Sequence, residues 1–257
     1  MAPSSSPEFP PVPQQLSAPR PFALEAGVHL AIDRNEALRY LGYTGQDVDP
    51  ALQARIAHVI DEVERNASPR GIRAVFPVDA TGVDGSGNPC IRLVGTTVEL
   101  RGRDIYRHLK DASWCALFAC TLGMDNERRL RMLGGQQPLE GAVFDAASSA
   151  AIEAAVEQMD QLVRSDAQAL GLSCNWRFSC GYGDCPLSTQ GSILAALDAT
   201  RRCGITATST DLLLPSKSVT AMMGIFEGRP RAADAPARCS ICRMRGSCAL
   251  RSRGITC

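Results

Sequence analysis

The run "RFSCGYGDCPLSTQ", residues 177 to 190, gathers an arginine, a tyrosine between two glycines, an aspartate and two thiols. Gly181 and Gly183 can take backbone angles closed to other residues, so the chain can bend sharply around Tyr182 and turn main-chain N–H groups toward a ligand. Pro186 suits the first turn of a following helix, whose positive end would complete a cradle for a carboxylate or phosphate. Arg177 can give a carboxylate two parallel hydrogen bonds, and the Tyr182 ring offers a face to a planar or cationic group. The same residues also suit an ordinary turn with a packed tyrosine and a surface arginine.

A second cluster closes the chain. Cys239, Cys242, Cys248 and Cys257 stand as C-x2-C-x5-C-x8-C, close enough in sequence to give either a tetrahedral zinc ion or a four-iron cluster its thiolates. From residue 229 onward there are seven arginines and one acid, which would offset a thiolate-ligated centre or attract an acidic partner.

The elements that must position these groups follow from pattern and punctuation. Seven of the sixteen prolines fall before residue 22, interleaved with Ser and Gln, so residues 1–22 are expected to be a disordered lead. Residues 23–228 read as one domain and 229–257 as a metal-binding tail. A short helix is predicted after Asp33, capped by that aspartate and stopped at Gly42, and a second from about Pro50 to Ala67. "GIRAVFPVDA" and "WCALFACTLG" have the β-branched or aromatic, turn-bounded look of buried strands, with "GRDIYRHLKDA" helical between them. An Ala-rich, proline-free run from about Glu140 to Leu170 predicts the longest helix, ended by Gly171. After the glycine–tyrosine turn, a helix is expected from Pro186 to Gly204, then strands in "ITATSTDLLL" and "SVTAMMGIF", separated by Pro215. Alternating helices and strands favour a mixed α/β or α+β fold over an all-helical one.

Bulk composition narrows the function. The 257 residues carry 27 basic and 27 acidic side chains, which argues against a dedicated polyanion binder. No stretch approaches the roughly 20 continuous apolar residues of a membrane span, and the first residues lack the features of a secretory signal, so a cytoplasmic protein is expected. There the eleven cysteines would stay reduced. No P-loop or G-x-G-x-x-G fingerprint occurs, and His29, His58 and His108 show no metal-ligand spacing.

"RFSCGYGDCP" resembles the R-x-x-x-G-Y-x-x-C-P motif of the activation (reactivation) domain of cobalamin-dependent methionine synthase. "AIEAAVEQMDQLVR" is similar to the helix before that motif and "LLLPSKSVTAMMG" to the Pro-x-x-Ser-Val strand after it. "EALRYLGY" and "CTLGMDNE" extend the likeness upstream, toward short stand-alone relatives of that domain. The resemblance implies an α+β fold with a twisted, mainly antiparallel sheet packed with helices, and it implies S-adenosylmethionine binding. The ligand-holding arginine, tyrosine and glutamate of the family fall on Arg177, Tyr182 and Glu153, with Cys180, Gly181, Gly183, Asp184 and Cys185 completing the site. A second acidic contact of the family falls on Gly171, and an aromatic one is replaced around Met222 and Met223; Asp184 is a candidate for the lost charge. Glu157, one turn from Glu153, reads as a solvated helix acid.

The D-x-H-x-x-G signature that ligates cobalt is missing, so cobalamin would arrive on a partner: methionine synthase or another corrinoid protein. The implied task is repair of cob(II)alamin with one electron and the methyl group of S-adenosylmethionine. An electron donor such as flavodoxin or ferredoxin would take part, and that need favours iron–sulfur over zinc in the tail. Two other readings stand beside it: a docking or electron-transfer module without the ligand, and a nucleic-acid-binding accessory protein with a zinc tail.

Overall fold

A computed structural model describes residues 9–43 and 45–229 of the protein. Among these described residues nine strands and seven α-helices follow one another as β1 (Arg20–Ala23), α1 (Arg34–Tyr40), α2 (Pro50–Asn66), β2 (Arg70–Asp79), β3 (Ile91–Leu93), β4 (Glu99–Leu100), α3 (Arg103–Leu109), β5 (Trp114–Thr121), α4 (Gly123–Gln136), α5 (Pro138–Gln168), β6 (Leu172–Cys174), α6 (Gln190–Leu197), α7 (Ala199–Cys203), β7 (Thr206–Ala207), β8 (Leu213–Leu214) and β9 (Ser218–Glu227). The main sheet runs β4-β3-β2-β5-β9-β6, with β1 on the first half of β2. Every pairing in it is antiparallel, which makes the fold α+β.

Strand alternation builds two cores. All eight residues of β5 are buried, because the sheet is covered on both sides. Trp114, Ala116, Phe118 and Cys120 join one core with Ala37 of α1, Val59 and Val63 of α2, Leu133 of α4 and the apolar face of α5. Cys115, Leu117 and Ala119 join the other with Ile105 of α3, Ile193 and Leu197 of α6 and Cys203 of α7. Helix α5, 31 residues long and so about 46 Å, spans the first face and presents its outer stripe to solvent.

Local chemistry accounts for the helix ends. The Asp33 carboxylate accepts from the N–H groups of Asn35 and Glu36, and Asp49 caps α2 through Leu52 N. Gly171 takes a φ of +71° just past α5.

Three expectations need correction. Residues 9–22 of the expected disordered lead are packed: Leu16 is 4% exposed, Arg20–Ala23 pairs with β2, and the Trp114 indole N–H donates to the carbonyls of Pro10 and Pro11, each at 3.2 Å. Proline lacks a donor but keeps its carbonyl, so a proline-rich segment can dock wherever a buried N–H needs an acceptor. The helix expected from Pro186 to Gly204 is divided into a 3-10 turn (Leu187–Thr189), α6 and α7, with Asp198 left-handed (φ 51°) at the break and Pro186 extended before the first turn. The strand expected over 205–214 is a small hairpin, β7 with β8, around a turn in which Thr208 Oγ1 accepts from Thr210 N and Leu212 N. Among the described residues no helix is long and apolar enough to cross a membrane.

Candidate functional site

The segment after β6 continues along β9 in extended form. Asn175 N donates to Gly224 O at 3.2 Å, and Phe178 and Met222 exchange both main-chain bonds at 2.8 Å. Since successive side chains alternate, Phe178 enters the α3/α6 core and Arg177 turns to the α5 side. Two further contacts hold this segment. The Asn175 side chain donates to His108 O (2.7 Å) and accepts from Gly224 N (2.8 Å). Arg164, anchored on the buried Asp160, donates to Asn175 O at 2.7 Å.

Arg177 meets α5 there. Its Nη2 donates to Glu153 Oε2 at 2.8 Å, and its Nη1 lies 3.9 Å from Glu157 Oε2. The Arg177 side chain is only 14% exposed, against 42% for that of Glu153 and 56% for that of Glu157, so two solvent-facing acids one helical turn apart flank a sunken cation. Nη1 is buried and makes no hydrogen bond. Across from them, burial and the Glu153 carboxylate hold the Tyr40 phenol above its usual range, and Arg39 stacks 4.6 Å over the Tyr40 ring. The structure thus brings together Arg177 and Glu153, which the resemblance had paired. It adds two groups the sequence reading had left aside. The helix period pointed to Glu157; no sequence signal pointed to Tyr40, which reaches Glu153 through the packing of α1 on α5.

The glycine–tyrosine turn folds back on itself. Gly181 N donates to Cys185 O (2.9 Å), Tyr182 N to Ser179 O (3.3 Å) and Cys185 N to Tyr182 O (3.1 Å). The expected N–H cradle is therefore corrected: three of these donors are spent inside the turn, and the helix end after Pro186 is a 3-10 turn. The glycines are required by conformation, with φ of +87° at Gly181 and +54° at Gly183; a Cβ at Gly183 would also lie 2.6 Å from Asp104 Oδ2. Tyr182 stands at the tip, 68% exposed.

Asp184, expected as a candidate for the lost ligand-binding charge, caps a helix. Its two oxygens accept from Arg103 N (2.7 Å) and Asp104 N (3.0 Å), capping α3 from 80 positions away. Helix α3 starts at Gly102, which has no side chain to do this. Cys180 and Cys185 are free and buried on either side of the turn; their mutual hydrogen bond and burial push the Cys180 thiol up. Met222 and Met223, where the family's aromatic contact is expected to be replaced, are fully buried. Among the described residues no group of His, Cys, Asp and Glu could hold a metal. The four cysteines proposed as metal ligands, Cys239, Cys242, Cys248 and Cys257, lie outside the described residues.

No family model and no curated protein sequence matches the chain. A crystal structure of the MetH reactivation domain bound to AdoHcy is similar to it, with a TM-score of 0.60, 14% sequence identity, and coverage of 97% of this chain and 89% of that one. The antiparallel sheet with its two helical layers is thus the fold of the MetH reactivation domain, as the motif around Tyr182 had implied.

Proposed function

We propose that the protein binds S-adenosylmethionine at Arg177 and Glu153 and serves as a reactivation factor for a separate cobalamin-dependent methionine synthase or related corrinoid methyltransferase. The observation that carries this reading is the Arg177–Glu153 pair, 2.8 Å apart on the open face of α5. The likeness in fold to a domain solved with AdoHcy supports it. An amino-acid head group has a carboxylate for the arginine and an ammonium for the glutamate, so it can exchange with the pair without leaving either charge unmatched. Tyr182 and Tyr40 would supply aromatic surface beside the sulfonium. The chain's part is to hold the methyl donor in line with cobalt on the partner, so proximity is its main contribution. The reaction balances as cob(II)alamin plus one electron plus S-adenosylmethionine giving methylcobalamin and S-adenosylhomocysteine.

The tail cysteines Cys239, Cys242, Cys248 and Cys257 are proposed to hold a four-iron cluster that relays this electron; zinc in the same thiolates would leave the electron to a flavodoxin or ferredoxin. Iron and sulfide in anaerobically purified protein support the first, and colourless protein with one zinc supports the second. The reaction itself is tested by mixing full-length protein, a corrinoid methyltransferase in its cob(II)alamin state, a reductant and S-adenosylmethionine. Methylcobalamin should appear in the visible spectrum only when all are present; formation at the same rate without this protein would refute the proposal.

A second reading, a docking module that has lost the ligand, is favoured by one feature: Nη2 of Arg177 already carries Glu153. Ligand binding separates the two.

A further inference from the structure

We infer that Cys180 and Cys185 form a reversible dithiol–disulfide couple, oxidised by a small peroxide, in which the glycine–tyrosine turn holds two thiols in position to join. Two left-handed glycines, Gly181 at φ +87° and Gly183 at +54°, reverse the chain between them, and Gly181 N donates to Cys185 O at 2.9 Å. Both side chains enter the α3/α6 core, where the free thiols share a hydrogen bond. Cys115 and Cys120 have the same spacing in sequence and the opposite outcome. On β5 that spacing spans about 16 Å and puts them in different cores, so they cannot meet. It is the turn that makes a pair.

The two sulfurs have distinct parts. The hydrogen bond with Cys180 holds the Cys185 thiol below its ordinary value, while burial and the Asp184 carboxylate push the other way. Cys185 is therefore the sulfur that ionises first and attacks. Its thiolate takes one oxygen of hydrogen peroxide as the O–O bond breaks, giving a sulfenic acid and a hydroxide that leaves as water. The Cys180 sulfur then attacks the sulfenic sulfur, the S–O bond breaks, and the second water leaves with the Cys180 proton. Two thiols and one peroxide thus give one disulfide and two waters, with two electrons passing from sulfur to oxygen. Two molecules of a small thiol reverse the step and depart as their own disulfide. Cys180 is 8% exposed and Cys185 2%, but Gly181 and Tyr182 beside them are open to solvent, so the pair lies just beneath the surface. The ring so closed contains Tyr182 and Asp184, the cap of α3. None of this depends on what the Arg177 site binds.

Tryptic mapping tests the couple, because residues 178–201 form one tryptic peptide that carries Cys180 and Cys185 and no other cysteine. Reduced full-length protein is treated with a stoichiometric amount of hydrogen peroxide, quenched in acid, alkylated in denaturant and digested. The peptide should lose two hydrogens and take up no alkyl group, and dithiothreitol before alkylation should restore two alkylated thiols. Cys180→Ser removes the resolving thiol, so Cys185 should stop at a sulfenic acid that dimedone captures. A peptide still doubly alkylated after peroxide, or either cysteine bonded instead to one elsewhere in the chain, overturns the inference. The wild-type map decides alone if the variant does not fold.

Discussion

Arg177 donates to Glu153 across 2.8 Å, joining the extended segment after β6 to α5, 24 positions earlier. The bond depends on Arg177 facing α5, and therefore on the alternation set by the Phe178–Met222 pairing beside it. A ligand at this pair would rest on the β9 edge of the main sheet and on α5.

Asp184 caps α3, so Asp184→Ala should cost about 1 kcal/mol of stability through the unsatisfied N–H groups of Arg103 and Asp104. Urea unfolding measures this. Because both carboxylate oxygens already serve the cap, affinity for S-adenosylmethionine should change far less than in Arg177→Ala.

The lead segment predicts a truncation effect. Removing residues 1–18 strips Leu16 from the core and both acceptors from the Trp114 indole. A loss of about 3 kcal/mol is expected, from one buried leucine and one orphaned donor. Unfolding should also show a red-shifted, more exposed tryptophan before denaturant is added.

Burial lowers the His108 imidazole to about 4, from an ordinary 6.5, between Trp176 and Phe178. Folded protein therefore binds fewer protons than unfolded chain between those values. The contribution is whole above pH 6.5 and is lost as pH falls to about 4, amounting to about 3 kcal/mol. His108→Phe should flatten that part of the curve, seen as the wild-type minus variant difference in urea midpoints at pH 7 and pH 4.5.

Burial also raises the thiols of Cys115 and Cys120 to about 12 and of Cys174 to about 11. Native protein at pH 8 should hold these cysteines as thiols, resistant to iodoacetamide until denatured. Peptide mass mapping reads the modified sites; rapid native alkylation of Cys115 or Cys120 would mean that β5 is open.

The long elements were legible because each carries its own signal. Asp33 and Asp49 cap their helices, Gly171 stops α5, and the uninterrupted apolar run of β5 declares a strand covered on both faces. Strands of two or three residues such as β4, β7 and β8 have no pattern to read, because partners decide them. The docking of Pro10 and Pro11 on Trp114 was hidden for the same reason, being settled by tertiary contact, and the left-handed break falls on Asp198, where no glycine announces it. At the site, helix spacing put Glu157 beside Glu153, whereas the resemblance alone linked Arg177 to Glu153. The cap that Asp184 gives α3 was not legible because its partners lie 80 and 81 positions away.

Isothermal titration of wild-type protein and Arg177→Ala with S-adenosylmethionine tests the central claim most directly. Saturable one-to-one binding by the wild type, weakened at least tenfold by the substitution with the melting temperature preserved, is the predicted result. No binding by the wild type, or equal binding by both proteins, would contradict it.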